Sequence, residues 1–376
     1  MSREAERQAR LVLSRVTEPG TAKVRGLVDE IGAVALRDHL AADRGRSGPS
    51  EVAQRIAALE PERELDRARR TGLRYVIPGD PEWPRGLDDL DVAEMLGDVG
   101  GAPLGVWVRG PMRLAALGSA VAIVGSRSAT SYGVTAALDL AAALAQQGVT
   151  VVSGAAFGID QAAHRGALGA GGTTVAVLAS GADRPYPVAH TELISYIAEH
   201  GAVMSEMPPG YAPMRNRFLS RNRIIAALAS GTVVVEAAAR SGALNTAGWT
   251  ARLSRPLMAM PGPIGSGASR GTNELIRAGG ATLVTSADDV LELLARMGEK
   301  EPVVPRGPEI PRDALSRRQS RVLDAVPSRR PVGEEAIART ASLSVAVVSQ
   351  ELAELHDRGF VESVDDGWRI TDLARQ

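Results

Sequence analysis

The stretch Val121-Ala-Ile-Val-Gly-Ser-Arg-Ser128 decides the fold, because four apolar residues run directly into a glycine and a polar loop. Similar apolar runs recur at 150–152, 174–178, 202–204, 232–235, 256–260 and 282–284. Helix-like segments lie between them at 135–147, 159–167, 191–199, 224–229, 244–252 and 273–277. Short apolar strands that alternate with helices predict an α/β fold whose parallel sheet is covered on both faces.

The flanking regions predict further domains. Residues 1–75 are polar and helical, with a break at Pro19-Gly20. This pattern is compatible with a hairpin that binds a DNA backbone and equally with a short helical bundle used for docking. Residues 76–120 form a connector with a short strand at Val106-Trp-Val-Arg-Gly110, so the central domain is expected over residues 76–297.

The C-terminal part predicts a separate module. Residues 298–312 form a Pro-rich linker. Residues 313–376 show three helical stretches at 316–326, 333–341 and 344–358, followed by a hairpin with Asp365-Asp-Gly367 at its turn. Three helices and a hairpin indicate a winged helix–turn–helix. Its third helix carries acids and lacks a cation before Arg358, which favours protein contact, or no contact at all, over major-groove reading.

Composition excludes several classes of site. The 376 residues contain no cysteine, so disulfides and Cys-ligated zinc are excluded, and five scattered histidines offer no metal spacing. No apolar run has the length of a membrane span and no signal region begins the chain, so a cytoplasmic protein without membrane contact is expected. Positive charge concentrates in the middle, where residues 121–286 carry 12 arginines against 8 acids.

Polar loops follow the predicted strands, where open parallel sheets bind ligands. Glycine lets a backbone approach an anion, and helix N-termini attract it. The residues expected to contribute such loops are Gly125, Ser126, Arg127, Ser153, Gly154, Gly158, Ser241 and Gly242. Neither the dinucleotide fingerprint nor a P-loop occurs, so no cofactor is expected.

An arginine-rich segment lies between residues 215 and 223, after the Pro-rich stretch 208–213. We expect it to form a loop that leads into a helix near Ile224. Guanidinium groups grip phosphate oxygens in a fork, and an aromatic ring stacks on a base. The candidate ligands in this segment are Arg215, Arg217, Phe218, Arg221, Asn222 and Arg223.

Three further titratable residues have open roles. Asp160 either stabilises a helix N-terminus or pairs with His164 one turn later. Glu236, at a strand end, is a catalytic acid, a sugar ligand or a structural cap. No nucleophile accompanies these residues, so we expect no catalytic site.

The motifs resemble those of the DprA/Smf family. The resemblance rests on Ile123-Val-Gly-Ser-Arg127, Ser153-Gly-x-Ala-x-Gly-Ile-Asp160, Ala163-His-Arg-Gly-Ala-Leu168, Arg221-Asn-Arg-Ile-Ile225, Val234-Val-Glu-Ala237, Ser241-Gly-Ala-Leu244 and Pro261-Gly262. It implies an extended Rossmann-like domain that binds single-stranded DNA, usually as a homodimer. It also implies protection of incoming strands and loading of the RecA recombinase during natural transformation and recombination. The family often has arginine where this chain has Phe157, which offers a second stacking surface instead.

Two other functions compete with this one. A Rossmann-like nucleotide-binding or nucleotide N-glycosidase enzyme would use Glu236, but the Pro-Gly-Gly loop of such hydrolases is missing before it. A winged-helix regulator with a ligand-sensing middle domain is disfavoured by the acidic third helix.

Overall fold

The computed structural model describes residues 2–45, 48–295, 310–365 and 367–375. The chain forms two compact units, residues 1–301 and 302–376. The predicted linker at 298–312 lies outside the described residues except for its last three positions.

The first unit begins with five helices, α1 (Arg3–Val16), α2 (Ala22–Ile31), α3 (Ala33–Ala42), α4 (Glu51–Ala57) and α5 (Pro61–Arg70). A small hairpin, β1 (Arg44–Gly45) and β2 (Gly48–Pro49), precedes α4. The Ser2 side chain caps α1 by accepting a hydrogen bond from the Ala5 N–H. The break predicted at Pro19-Gly20 separates α1 from α2, and Gly20 adopts a φ of 70° that suits glycine.

A nine-stranded sheet forms the centre of this unit. Its strands are β3 (Leu73–Val76), β4 (Val106–Arg109), β5 (Ala120–Val124), β6 (Thr150–Ser153), β7 (Thr174–Leu178), β8 (Ala202–Ser205), β9 (Gly231–Val234), β10 (Leu257–Ala259) and β11 (Thr282–Leu283). The order across the sheet is β11-β10-β9-β5-β6-β7-β8-β4-β3. The seven apolar runs form the parallel strands β5 to β11, which confirms the α/β prediction. Strand β4 extends the sheet by pairing antiparallel with β8, and β3 pairs antiparallel with β4.

Helices cover both faces of the sheet. They are α6 (Ser131–Gln146), α7 (Ile159–Gly169), α8 (Thr191–His200), α9 (Arg215–Leu228), α10 (Ala243–Arg252), α11 (Arg270–Arg277) and α12 (Ala287–Leu294). The expectation of a loop over residues 215–223 was wrong, because α9 already begins at Arg215. The segment after Pro213 contains neither glycine nor proline, so nothing interrupts the helical backbone there.

The N-terminal helices share a core with the sheet. Leu11 of α1 and Leu65 of α5 pack in one buried cluster with Trp107 of β4 and Ile197 of α8. The boundary expected at residue 75 falls inside β3. The five helices are therefore part of the same compact body as the sheet.

The second unit has its own core. Helices α13 (Arg317–Ala325), α14 (Glu334–Ala341) and α15 (Val345–Asp357) pack with the antiparallel hairpin of β12 (Val361–Val364) and β13 (Gly367–Ile370). Within the described part of the chain, no helix combines the length and apolar character that crossing a membrane requires.

Candidate nucleic-acid interface

One edge of the sheet gathers the predicted loops. Strands β9, β5, β6 and β7 are neighbours and parallel, so the loops that follow their carboxyl ends lie side by side. The first half of α9 borders the same edge, since the Arg221 side chain of α9 reaches the Gly154 and Val177 carbonyls at the ends of β6 and β7.

Three side chains stack at this edge; Arg127 and Tyr186 are exposed, and Phe218 is partly buried. The Arg127 guanidinium lies over the Phe218 ring, with its carbon 4.6 Å from the ring centroid. The Tyr186 ring, in the loop after β7, contacts the Phe218 ring of α9, with centroids 5.9 Å apart. We call Arg127, Tyr186 and Phe218 the aromatic rim. Arg127 is exposed and makes no ion pair with any described residue, so its charge is available to an anion.

A buried arginine supports the rim from below. Arg221 is 6% exposed and lies 5.9 Å from the Phe218 ring centroid. Burial lowers the pKa of Arg221 to about 10, and the Asp160 carboxylate opposes this effect. Burial raises the pKa of Asp160, while Arg221 and the backbone N–H groups of Ala156 and Gly154 act in the opposite direction. Arg221 therefore holds the loops together and adds positive potential beneath the aromatic rim.

The glycines at this edge serve close packing. A Cβ atom on Gly154 would lie 2.0 Å from the Arg221 Nη1, and one on Gly158 would lie 2.3 Å from the Ser126 carbonyl oxygen. Gly158 also has a φ of 75° at the start of α7. A Cβ on Gly125 would meet Ile159 at 2.4 Å. These residues bring the loops together rather than expose a cradle.

The hydroxyl of Ser153 is likewise structural. Ser153 is buried and donates to the Ile123 carbonyl over 2.6 Å. Ser126 accepts a hydrogen bond from the Ser128 N–H at 3.2 Å and remains partly exposed beside Arg127.

Arg217 already has an anionic partner. Its Nε and Nη2 donate to the two Glu18 carboxylate oxygens over 3.2 and 2.9 Å. Asn216 donates to the same carboxylate, and the Tyr211 ring lies 4.9 Å from the Arg217 guanidinium carbon. The loop between α1 and α2 thus contacts α9.

Arg223 points into the protein. It is fully buried, and its two terminal nitrogens donate to the Glu206 carboxylate over 2.7 and 2.8 Å. Its Nε donates to the Gly101 carbonyl. Arg223 is therefore separated from the exposed surface and holds α9 against the connector.

The remaining predicted residues divide between two places. Arg215 is exposed at the start of α9 and has no ion pair among the described residues. Asn222 is buried and donates to Asn245 and, at 3.5 Å, to the Gly242 carbonyl. Ser241 and Gly242 are partly or fully exposed where α10 begins.

Glu236 is a structural cap. It is 1% exposed, and its two oxygens accept from the Thr130 N–H and hydroxyl, each over 2.8 Å. Thr130 is the residue that caps α6. Of the three roles left open by the sequence, this geometry supports the cap.

The alternative pairing of Asp160 with His164 does not form. The His164 Nδ1 is hydrogen-bonded to the Thr174 hydroxyl at 2.7 Å, whereas Asp160 accepts from the Gly154 and Ala156 N–H groups. The two side chains therefore bind different elements: His164 binds strand β7, and Asp160 binds the loop after β6.

Sequence reasoning missed Tyr186. It lies in the loop after β7, within Arg184-Pro-Tyr-Pro187, and is 41% exposed. An aromatic residue between two prolines in a strand-end loop was the available signal. Phe157, in the loop after β6, is also exposed and packs edge-on against His190 at 4.5 Å.

Comparison with known proteins identifies relatives. A family model described as DNA recombination-mediator protein A matches residues 74–295. The chain is 45% identical over 372 residues to a putative DNA processing protein DprA from Mycobacterium tuberculosis, covering 95% of this chain and 92% of that protein. It is 43% identical over 175 residues to the protein Smf of Escherichia coli, covering 46% of each.

Solved structures give the same answer. DNA processing protein A from Streptococcus pneumoniae matches with a TM-score of 0.62 and 30% identity, over 75% of this chain and 95% of that one. The Helicobacter pylori protein, described for its single-stranded DNA binding mode, matches with a TM-score of 0.51 and 28% identity, over 59% and 95%. The motifs, the fold and these similarities agree, and the chain belongs to the DprA/Smf family of DNA-processing proteins.

Proposed function

We propose that this protein binds single-stranded DNA without sequence specificity along the aromatic rim. The observation that carries the proposal is the stack of the exposed Arg127 and Tyr186 on the partly buried Phe218. A guanidinium free of carboxylates suits a phosphate, and aromatic faces stack on any base. The single-stranded DNA binding described for the H. pylori relative supports the same ligand.

The proposed contacts divide by exposure. Arg127, Phe218, Tyr186 and Arg215 touch the strand directly, with Ser126, Ser241 and Gly242 at the margins. Arg217 would take a phosphate only when Glu18 moves away from it. The other predicted residues act from within by shaping and charging the surface; these are Gly125, Ser153, Gly154, Gly158, Arg221, Asn222 and Arg223.

Arg127→Ala tests this assignment. We expect weaker binding of a single-stranded oligonucleotide and a salt slope that is shallower by about 0.7, which is the contribution of one phosphate contact on single strands. Arg85→Ala is the matched control, because Arg85 is exposed and lies in the connector. Equal affinities and slopes for wild type and Arg127→Ala would refute the proposed site.

The protein acts as a binder in this proposal and not as an enzyme. The use of both Glu236 oxygens in capping α6 favours this view over an N-glycosidase. Incubation with nucleoside monophosphates, followed by chromatography for free base, tests the alternative. Released base that disappears in Glu236→Gln would establish an enzyme.

We further propose that the cytoplasmic homodimer protects the bound strand and loads RecA onto it during natural transformation and homologous recombination. Membership of a family described as recombination mediators supports this role. Light scattering during size exclusion tests the dimer. Nuclease digestion tests protection, and the rate of RecA filament formation on strands coated with a single-strand-binding protein tests loading. A monomer would contradict the dimer, unprotected strands would contradict protection, and an unchanged rate would contradict RecA loading.

We propose that the second unit is a winged helix that contacts protein. Helix α15 exposes Glu354 and Asp357, which would repel a DNA backbone. Deleting residues 310–376 should leave the affinity for duplex DNA unchanged. A marked loss of duplex binding would show that this unit is a DNA reader.

A further inference from the structure

A groove of about 650 Å³ opens beside α5. Its walls come from α5 and from the loops that follow β7 and β8, which contribute Asp183 and Gly210. Arg109, at the end of β4, also lines the groove, and it lies opposite Val203 of β8 in the sheet, two residues before that strand ends. The groove therefore begins at the loop edge of the sheet and runs down one side of it.

Only some of the arginines that line the groove form ion pairs. Its lining contains four arginines and three carboxylates. Glu64 is ion-paired with Arg15, and Glu60 with Arg63. Arg67 and Arg109 have no ion pair with any residue that the structure describes, so they are the surplus cations of the groove.

The third carboxylate is also engaged. Both Asp183 oxygens accept from the Gly210 N–H at 3.0 Å. This hydrogen bond ties together the two loops at the mouth of the groove. Asp183 thus closes a loop contact and leaves Arg67 and Arg109 uncompensated.

The groove is continuous with the aromatic rim. Arg184 is exposed at the mouth, where its Nη1 donates to the Gly210 carbonyl over 3.4 Å. Two residues further along the same loop, Tyr186 contacts Phe218. On the other side, the Tyr211 ring lies between Arg15 of the groove and Arg217 of α9, at 5.1 and 4.9 Å.

We propose that the groove is a second segment of the strand path, in which Arg184, Arg67 and Arg109 bind the phosphodiester backbone after it leaves the aromatic rim. The inference rests on the proposed function and deepens it. Cations without carboxylate partners, in a groove that starts where the rim ends, fit a phosphate chain. The absence of an exposed aromatic ring among the lining residues fits backbone contact without base stacking.

The test compares Arg67→Ala/Arg109→Ala with wild type on two oligonucleotides. Single-strand sites span about 4–16 nucleotides per module, so a strand of about 6 nucleotides occupies the rim and one of about 20 reaches the groove. We expect weaker binding of the longer strand, with a salt slope shallower by about 1.4, and unchanged binding of the shorter one. An unchanged melting temperature of the double variant would show that it still folds. The single variant Arg67→Ala, at an exposed position, tests one lost contact with little risk of misfolding.

Arg69→Ala/Arg70→Ala is the matched control, because it removes two exposed arginines from the same helix without touching the groove lining. Equal losses in the two double variants would indicate a general charge effect and overturn the proposal. Unchanged binding of the longer strand would also overturn the proposal. Tight binding of an acidic peptide to the groove, without displacement by the longer strand, would overturn it as well. If wild type binds neither strand, the proposed function itself fails.

Discussion

Glu18 and Arg217 form a two-point ion pair across 199 positions of the chain, with Nε–Oε2 and Nη2–Oε1 distances of 3.2 and 2.9 Å. The carboxylate occupies the guanidinium fork as a phosphate group would. The Glu18 side chain is 51% exposed, whereas that of Arg217 is 8% exposed. Glu18 is therefore the partner that can move away when an anion arrives.

Removing the Glu18 charge should strengthen single-strand binding. In Glu18→Gln the Arg217 fork becomes available to a phosphate, so we expect higher affinity and a salt slope steeper by about 0.7. The measurement is a salt-dependent titration with a single-stranded oligonucleotide. Glu30→Gln, which neutralises an exposed acid of α2, controls for the change in net charge. An effect no larger than that of the control would exclude competition by Glu18.

Tyr186 should contribute through its ring and not through its hydroxyl. Stacking of a base on an aromatic side chain contributes about 1–3 kcal/mol, so Tyr186→Ala should weaken binding by about 5- to 150-fold. Tyr186→Phe should bind like wild type. Tyr196→Ala is the control, because Tyr196 is 49% exposed on α8 and stacks on His200. Equal affinities of the Ala and Phe variants in fluorescence anisotropy would contradict this role.

Arg223 should matter for stability. Removing one partner of a buried ion pair costs about 3–5 kcal/mol, because the other charge is left without compensation. Arg223→Ala should therefore lower the urea midpoint of the first unit strongly, and Arg223→Met/Glu206→Leu should recover part of the loss. Affinity for DNA, corrected for the folded fraction, should stay near that of wild type. A variant that folds normally and fails to bind would return Arg223 to the interface.

Stability should depend on pH through His164. Burial, together with the nearby charges of Arg221 and His190, lowers its pKa from 6.5 to about 3. The unfolded chain binds the proton more readily than the folded one, so the His164 contribution is complete above pH 6.5 and is lost as the pH falls toward 3. Each pH unit in this window changes the free energy of unfolding by about 1.4 kcal/mol.

His164→Asn isolates this dependence. The amide can keep the hydrogen bond to the Thr174 hydroxyl but does not titrate. Urea unfolding between pH 7 and pH 4 should give a smaller decline for the variant than for wild type. Since the Asp160 carboxyl, whose pKa is raised, is present in both proteins, its opposite contribution cancels in the difference. Parallel declines would show that His164 is not the group responsible.

The sequence predicts most of the sheet, and the exceptions have physical causes. Continuous apolar runs such as Val121–Val124 are typical of strands buried on both faces, and these strands were found. Strand β3 reads Leu73-Arg-Tyr-Val76, which is too short and mixed to stand out. Helix α9 begins earlier than predicted because the effect of the Pro-rich stretch 208–213 ends at Pro213, and arginine is a good helix former.

The interface is less visible in the sequence because long-range partners decide it. Arg127 and Phe218 were singled out from their local motifs, and the structure places them in contact. Nothing in the local sequence reveals that Glu206 buries Arg223 or that Glu18 faces Arg217. The direction in which an arginine points depends on such acids, and their pairing is a property of the folded chain.

The antiparallel extension of the sheet limits how the protein can be shortened. Strand β3 is the outermost strand and covers β4, and Leu11 packs in the cluster that encloses Trp107. A protein that lacks residues 1–76 would expose the backbone of β4 and the side chain of Trp107. Unprotected edges of this kind pair with one another. Self-association of such a fragment would then be an artefact of the cut, easily mistaken for native assembly.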